Sequence, residues 1–204
     1  MSRLIAFLAL AVLAVAAPAG RAAEAPVNAD RVMGRPGAPV LVEEFASLTC
    51  SHCGRFANEV FPAFKAKYID TGKVRYALRP VLTPPQNVAA AGFLLARCAG
   101  PARYYAVIEG VFRRQEEMFR TGDARSTLIA AAAEGGVSGP AFNACLSDVA
   151  GQAALDRELE AATGRGVDST PTFFFNGVKV KAGEMTLAEI DAAYAAALKA
   201  RRKP

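Results

Sequence analysis

The stretch that decides the fold is residues 40–68, which read VLVEEFASLTCSHCGRFANEVFPAFKAKY. Its first part, residues 40–45, is a mostly apolar run typical of a buried central strand. Its last part repeats apolar residues at helical spacing, at positions 56, 60, 61, 64 and 68, and Pro62 predicts a kink within that helix. Cys50 and Cys53 lie at the junction between the predicted strand and the predicted helix.

This junction favours thiol chemistry. Cys50 begins the helix, where unpaired backbone N–H groups and the positive end of the helix dipole stabilise a thiolate, the reactive form of cysteine. Cys53 lies one turn further on, close enough to form a small disulfide with Cys50. A Cys-x-x-Cys pair beside a βαβ pattern indicates a redox motif of the thioredoxin type.

Further along the chain, the pattern changes from strands to helices and back. Residues 73–81 alternate apolar and polar side chains, which predicts a second strand. After Thr83-Pro84-Pro85 the sequence is rich in alanine, and Gly- and Pro-containing breaks divide it into helices. These helices are predicted at about 86–99, 102–119, 124–134, 139–147 and 150–163.

The last section predicts a hairpin and a helix. Residues 172–175 form an apolar strand pattern, Asn176-Gly177 is a strong two-residue turn signal, and residues 178–180 pair back. Thr186-Leu187-Ala188-Glu189 is a capping box that opens a final helix. The predicted fold class is therefore α/β, with a βαβ half and a ββα half separated by an all-helical insertion.

The N-terminal residues predict export. Arg3 is followed by an apolar run of residues 4–17 and then by small residues typical of a signal-peptidase site, so we interpret residues 1–22 as a signal peptide. Cleavage after Ala19, Ala22 or Ala25 fits equally, and the alternative is an uncleaved anchor. The even number of cysteines, 4, suits an oxidising compartment, and the modest formal net charge of +5 does not indicate nucleic-acid binding.

A second motif, Ser169-Thr170-Pro171-Thr172, lies just before the predicted strand at 172–175. Thioredoxin folds place a cis-proline there, facing the cysteine pair. With residues 45–53 and 166–177 and the helical insertion, the chain resembles the DsbA family of bacterial exported thiol:disulfide oxidoreductases, of the alphaproteobacterial type. The resemblance implies a first thioredoxin half at 26–82, a helical domain at 83–165 and a second half at 166–204.

The motif residues can be given roles on chemical grounds. Cys50 is expected to be the nucleophile and Cys53 the resolving thiol. The N–H or positive charge of His52 is expected beside the Cys50 sulfur, where it would stabilise the thiolate. Ser51 replaces the proline of the better-known family members, and because the two intervening residues tune the redox potential, that potential cannot be carried over.

Two further positions are predicted to complete the site. Thr170 and Pro171 are expected to face the substrate, with the backbone of Thr170 binding an extended peptide. Glu44 matches an acidic residue six positions before the first cysteine in DsbA proteins, and a buried carboxyl there would have a raised pKa and could relay the Cys53 proton. The alternative is that Glu43 faces inward and Glu44 is half-exposed, since strand alternation puts one on each face.

Cys98 and Cys145 are far apart in sequence and lie in helical patterns. They form either a structural disulfide or two buried free thiols. Some alphaproteobacterial DsbA relatives have such a second bridge, which favours the disulfide. A four-cysteine zinc site would need a second close pair, and a haem motif would need histidine at Gly54, so no metal and no cofactor is expected.

These observations predict an exported, periplasmic and monomeric enzyme. Its Cys50–Cys53 disulfide would be passed to reduced cysteines of newly translocated proteins, and a membrane quinone-linked partner would reoxidise it. The alternatives are a disulfide isomerase or reductase of the same compartment, or a copper-binding chaperone that uses the same thiols as ligands.

Overall fold

The structure is a computed structural model that describes residues 31–201, so the predicted signal peptide lies outside the described residues. Its four-stranded sheet has the order β2-β1-β3-β4. The strands are β1 (Val40–Ala46), β2 (Val74–Pro80), β3 (Thr172–Phe175) and β4 (Val178–Ala182). β1 pairs with β2 in parallel and with β3 antiparallel, and β3 pairs antiparallel with β4. The two halves of the chain therefore meet along β1, directly before the cysteine pair.

The helices lie at three places along the described chain: between β1 and β2, between β2 and β3, and after β4. Five of them lie between β2 and β3, where the helical insertion was predicted. The helices are α1 (Ser51–Arg55), α2 (Phe61–Phe64), α3 (Gln86–Cys98), α4 (Tyr104–Thr121), α5 (Ala124–Glu134), α6 (Pro140–Leu146), α7 (Val149–Gly164) and α8 (Leu187–Arg201). No helix within residues 31–201 is both long enough and apolar enough to span a bilayer.

The first helical segment is irregular, as Pro62 predicted. A π-helical turn, Phe56–Val60, separates α1 from α2, and another, Lys65–Ile69, follows α2. Pro62 stands in the first turn of α2, where its missing N–H is tolerated but the preceding turn cannot continue regularly. The cysteine pair is thus at the start of a segment whose regular helix is only a few residues long.

The predicted elements are present within the described residues, with ends that differ by up to two residues. At the hairpin, Asn176 and Gly177 both have positive φ, 48° and 80°, the conformation that this dipeptide tolerates. At the capping box, the Thr186 N–H donates to the Glu189 carboxylate at 2.8 Å and the Glu189 N–H donates to Thr186 Oγ1 at 3.3 Å. The predicted fold class is confirmed.

The sheet is covered on both faces. On one face Phe173 of β3 packs edge-on against Phe56, with ring centroids 4.8 Å apart. On the other face Phe45 and Phe174 meet at 5.2 Å and pack with Ala162 of α7. Six of the seven residues of β1 are buried, which agrees with its mostly apolar sequence.

Candidate active site

Cys50 and Cys53 occupy the first turn after β1. Cys50 has extended backbone angles at the N-cap of α1, and the Gly54 N–H donates to its carbonyl at 3.1 Å. The Cys50 sulfur is half-buried, whereas Cys53 is fully buried. Both are free thiols in the structure. One sulfur is therefore accessible to another molecule, and the other lies behind it.

The two thiols differ sharply in acidity. The pKa of Cys50 is lowered to about 5, first by a hydrogen bond from the Cys53 thiol and further by Thr170 and the backbone N–H groups of Cys53 and His52, against partial burial. Burial, followed by the interaction with Cys50, raises the pKa of Cys53 well above its ordinary value. At neutral pH, Cys50 is a thiolate and Cys53 a thiol. This is the asymmetry that disulfide exchange requires of an attacking and a resolving cysteine.

The loop before β3 lies directly opposite the cysteines. The Thr170–Pro171 peptide bond is cis, and the Cys50 sulfur is 3.4 Å from the Thr170 carbonyl oxygen. Thr170 and Cys50 are 120 residues apart in sequence. The fold therefore brings the two predicted motifs together, with Thr170 in contact with the more accessible sulfur.

His52 acts on Cys50 through its backbone N–H, whereas its side chain was expected beside the Cys50 sulfur. Its backbone N–H helps to lower the Cys50 pKa, but its side chain is more than half exposed and its Nδ1 lies 2.7 Å from Glu184 Oε1. The imidazole is thus bound to a carboxylate that the sequence did not single out. Ser51, the other intervening residue, is exposed in the first turn of α1.

Glu44 is buried on the same side of the sheet as the thiols. The Tyr76 hydroxyl donates to its Oε2 at 2.5 Å, while its Oε1 is buried without a hydrogen-bond partner among the described residues. Burial, partly offset by Tyr76, raises the pKa of Glu44 to about 8, and the Cys50 charge adds to the rise. Glu44 in turn contributes to the raised pKa of Cys53. A carboxyl that titrates near neutral pH beside a buried thiol can hold or accept a proton when that thiol changes charge.

The alternative in which Glu44 is half-exposed is wrong, because Glu43 and Glu44 are both buried. Glu43 is 1% exposed and Glu44 is 2% exposed. Strand alternation does place them on opposite faces, but α7 and the chain after it cover the second face. There Arg79 and Arg165 bind Glu43 at 2.9 and 2.8 Å.

Gln115, a residue of α4, was missed by sequence reasoning although it contacts the active-site turn. Its side chain is buried, and its amide donates to the carbonyls of Leu48 at 2.9 Å and Cys50 at 3.1 Å. A Cβ added to Gly54 would lie 2.2 Å from Gln115 Oε1. The glycine after the motif therefore makes room for a side chain that ties the helical insertion to the cysteines.

Hydrogen bonds among three hydroxyl-bearing residues stabilise the turn between β1 and Cys50. The Ser47 hydroxyl accepts hydrogen bonds from the Thr83 N–H at 3.0 Å and the Thr83 hydroxyl at 2.9 Å. The Thr49 hydroxyl donates to the Thr83 carbonyl at 2.7 Å. These residues link the turn before Cys50 to the chain that leaves β2, and a run of Ser and Thr near the motif is the signal that could have found them.

Cys98 and Cys145 lie apart from this site. They are joined by a disulfide, with Cα atoms 5.8 Å apart, that connects the end of α3 to α6. Within residues 31–201 there is no group of three or more His, Cys, Asp or Glu side chains arranged to hold a metal ion.

Comparison with known proteins agrees with this geometry. A family model described as thioredoxin matches residues 27–194. A relative from Rickettsia typhi, named as a protein-disulfide oxidoreductase, is 31% identical over 156 residues, which cover 76% of this chain. The chain spans 57% of the length of that relative.

Solved structures show the same fold. A variant of alpha-DsbA1 from Wolbachia pipientis is 29% identical and superposes with a TM-score of 0.74, covering 87% of this chain and 96% of that one. DsbA of Chlamydia trachomatis is 18% identical with a TM-score of 0.71, covering 92% and 100% of the two chains. At that lower identity the likeness concerns the fold alone.

Proposed function

This chain belongs to the thioredoxin family and is DsbA-like, and from this we propose that it is an exported thiol:disulfide oxidoreductase that introduces disulfides into newly translocated proteins. The observation that carries the proposal is that the two thiols differ in accessibility and in acidity. Cys50 is accessible and acidic, Cys53 is buried and weakly acidic, and Thr170 lies beside Cys50. The signal-like residues 1–22 support action in the periplasm. We propose that the protein acts there as a monomer.

The proposed reaction begins with the oxidised protein. A substrate thiolate attacks the Cys50 sulfur, the Cys50–Cys53 bond breaks, and a mixed disulfide forms between Cys50 and the substrate while Cys53 leaves and takes up a proton. A second substrate thiolate then attacks the substrate sulfur of the mixed disulfide, and Cys50 leaves. The substrate loses two protons and two electrons, and the electrons reside on the reduced protein.

The acidity of Cys50 gives this reaction its direction. A thiol of low pKa is a better leaving group, so the second step is fast, and a stabilised thiolate favours the reduced form of the protein at equilibrium. The reduced protein must then be reoxidised, for which we propose a membrane quinone-linked partner. Thr170 and Pro171 would bind the substrate as an extended peptide beside Cys50.

Substitution of the nucleophile tests this function. We expect Cys50→Ser to abolish oxidation of a reduced dithiol peptide by protein that has first been incubated with oxidised glutathione. Cys53→Ala, the matched variant, keeps the Cys50 nucleophile but lacks the resolving thiol, so it is expected to accumulate as a mixed disulfide with an oxidised substrate. Peptide oxidation is followed by mass spectrometry, and a Cys50→Ser protein that oxidises the peptide at the normal rate would show the assignment to be wrong.

A further inference from the structure

The loop between β4 and α8 presents Glu184 to the active-site helix. The residues on either side of Glu184 are anchored: the Gly183 N–H donates to the Pro171 carbonyl at 2.7 Å, and the Met185 side chain is 2% exposed. Glu184 therefore stands at a fixed place at the edge of the site, tied through its neighbour to the cis-proline loop.

One oxygen of Glu184 is shared by two basic side chains of α1. Glu184 Oε1 lies 2.7 Å from His52 Nδ1 and 2.5 Å from Arg55 Nη2, and those two nitrogens are 3.0 Å apart. A guanidinium cannot accept a hydrogen bond, so the carboxylate is the acceptor for a protonated Nδ1. The carboxylate thus holds the imidazole by Nδ1 and offsets positive charge on α1.

We propose that Glu184 is a positioning residue that limits the oxidising strength of the Cys50–Cys53 pair by holding and neutralising the His52 side chain. The inference rests on the proposed disulfide exchange and adds to it a residue from the second half of the chain. It accounts for the finding that His52 meets Cys50 through its backbone, while its ring contacts Glu184.

The direction of the effect follows from the charges. Without the Glu184 charge, the basic side chains of His52 and Arg55 lose their compensating carboxylate, and the hydrogen bond that holds the His52 ring becomes weaker because its acceptor is neutral. Both changes stabilise the Cys50 thiolate. The other titratable groups that act on Cys50 are Cys53 and Glu44, and a change at Glu184 leaves both in place.

The test is Glu184→Gln, which removes the charge and keeps the shape. We expect the Cys50 pKa, followed by thiolate absorbance in the ultraviolet, to fall. We also expect the equilibrium with glutathione to shift about threefold toward reduced protein, the size typical of a partly exposed ion pair. By the two-electron conversion this shift is roughly 14 mV. Glu184→Asp, which keeps the charge, should lie between the variant and the wild type.

A matched control and a double substitution make the test specific. Glu117→Gln removes a carboxylate that pairs with Arg120 on the exposed side of α4, and it should leave both measurements unchanged. In a His52→Ala background, Glu184→Gln should lose most of its effect, because the proposed route runs through the imidazole. An equal effect in both backgrounds, or no effect in the wild type, would overturn the inference. Failure of the wild type to equilibrate with glutathione would instead contradict the proposed function.

Discussion

At the scale of single residues, adjacent glutamates of β1 are buried in different ways. Glu43 binds two guanidinium groups, from Arg79 and Arg165, so its charge is compensated. Glu44 has a phenolic hydroxyl as the partner of one oxygen, its other oxygen has no hydrogen-bond partner among residues 31–201, and its pKa is raised to about 8. Burial without a cation favours the neutral acid. This difference makes Glu44, and not Glu43, the group suited to exchange protons with the buried thiol.

The neutral state of Glu44 predicts a pH-dependent contribution to stability. Between its ordinary pKa of 4.5 and about 8, the folded reduced protein holds a proton here that the unfolded chain has lost. Stability is therefore lost as pH rises through this range, by up to about 1.4 kcal/mol per pH unit. Glu44→Gln cannot ionise, so we expect its free energy of unfolding to exceed that of the wild type increasingly from pH 5 to pH 8.

Urea unfolding of both reduced proteins at a series of pH values measures this difference. Contributions from other titrating groups largely cancel, because both proteins contain them. At pH 4, where the carboxyl is neutral in the wild type as well, the two free energies should differ by a constant alone. Parallel curves from pH 4 to pH 8 would mean that Glu44 is ionised in the folded protein.

The sequence could suggest Glu44 but could not establish its protonation state. Its place six residues before Cys50 identified it, whereas its neutrality depends on burial without a cationic partner among the described residues. One of the two cations that bind Glu43 comes from Arg165, which is 122 residues away in the chain. Such partners are fixed by the packing of distant elements, and no local pattern in β1 encodes them.

At the scale of elements, α4 supports the turn that contains the cysteines. The buried amide of Gln115 donates to the carbonyls of Leu48 and Cys50, and the Cys50 carbonyl also accepts the first helical hydrogen bond, from the Gly54 N–H. Gly54 is the position at which α1 and α4 approach most closely at this contact, because a side chain there would meet Gln115. The helical insertion therefore takes part in shaping the active-site turn.

This contact predicts that Gly54→Ala destabilises the protein although alanine is the better helix former. The new Cβ would lie 2.2 Å from Gln115 Oε1, and relief of such a clash costs about 1–3 kcal/mol. In a Gln115→Ala background the clash is gone, so Gly54→Ala should be neutral or stabilising by up to about 1 kcal/mol. Urea unfolding of the four proteins gives the interaction energy.

Gly164→Ala is the matched control for this cycle. Gly164 also lies in a helix, and a Cβ there would meet nothing within 4 Å. Gly164→Ala should change the free energy of unfolding by the same amount in the wild type and in the Gln115→Ala background. If Gly54→Ala has the same cost with and without Gln115, the two helices do not meet as the structure shows.

The helices and strands could be predicted from the sequence far better than the contact between Gly54 and Gln115. Periodicity, glycine and proline breaks, and the Asn176-Gly177 turn located the helices and strands to within two residues. These signals are local, since each depends on the chemistry of a few neighbouring residues. The Gln115 contact was not predicted, because it results from packing between α4 and the turn that contains the cysteines, whereas Pro62 indicated that the helix after Cys53 is irregular.

At the scale of the whole molecule, the insertion is joined to the sheet at both of its ends. Thr83 binds Ser47 where the chain leaves β2, and Arg165 binds Glu43 where the chain returns to β3. Arg165 also stacks over the rings of Phe45 and Phe174, at 5.0 and 4.3 Å. These contacts connect the helical part to β1, the strand that leads to the cysteines, so the two parts share one core around β1.

The disulfide acts on the insertion alone, since it connects α3 to α6 and contacts neither thiol of the active site. Closing a loop of 47 residues stabilises a folded chain by up to about 4 kcal/mol in the chain-entropy model. For a chain of this size that corresponds to roughly 10 °C in melting temperature. We therefore expect Cys98→Ala with Cys145→Ala to lower the melting temperature by about that amount while leaving the glutathione equilibrium of Cys50 and Cys53 unchanged.

Calorimetry in a Cys50→Ser, Cys53→Ser background measures the change in melting temperature without interference from the redox-active pair. Glutathione titration of the protein with Cys50 and Cys53 intact measures the redox equilibrium. An unchanged melting temperature would show that the bridge does not stabilise the fold. A shifted equilibrium would show that strain in the insertion reaches Cys50, for which the contact of Gln115 with the Cys50 carbonyl offers a route.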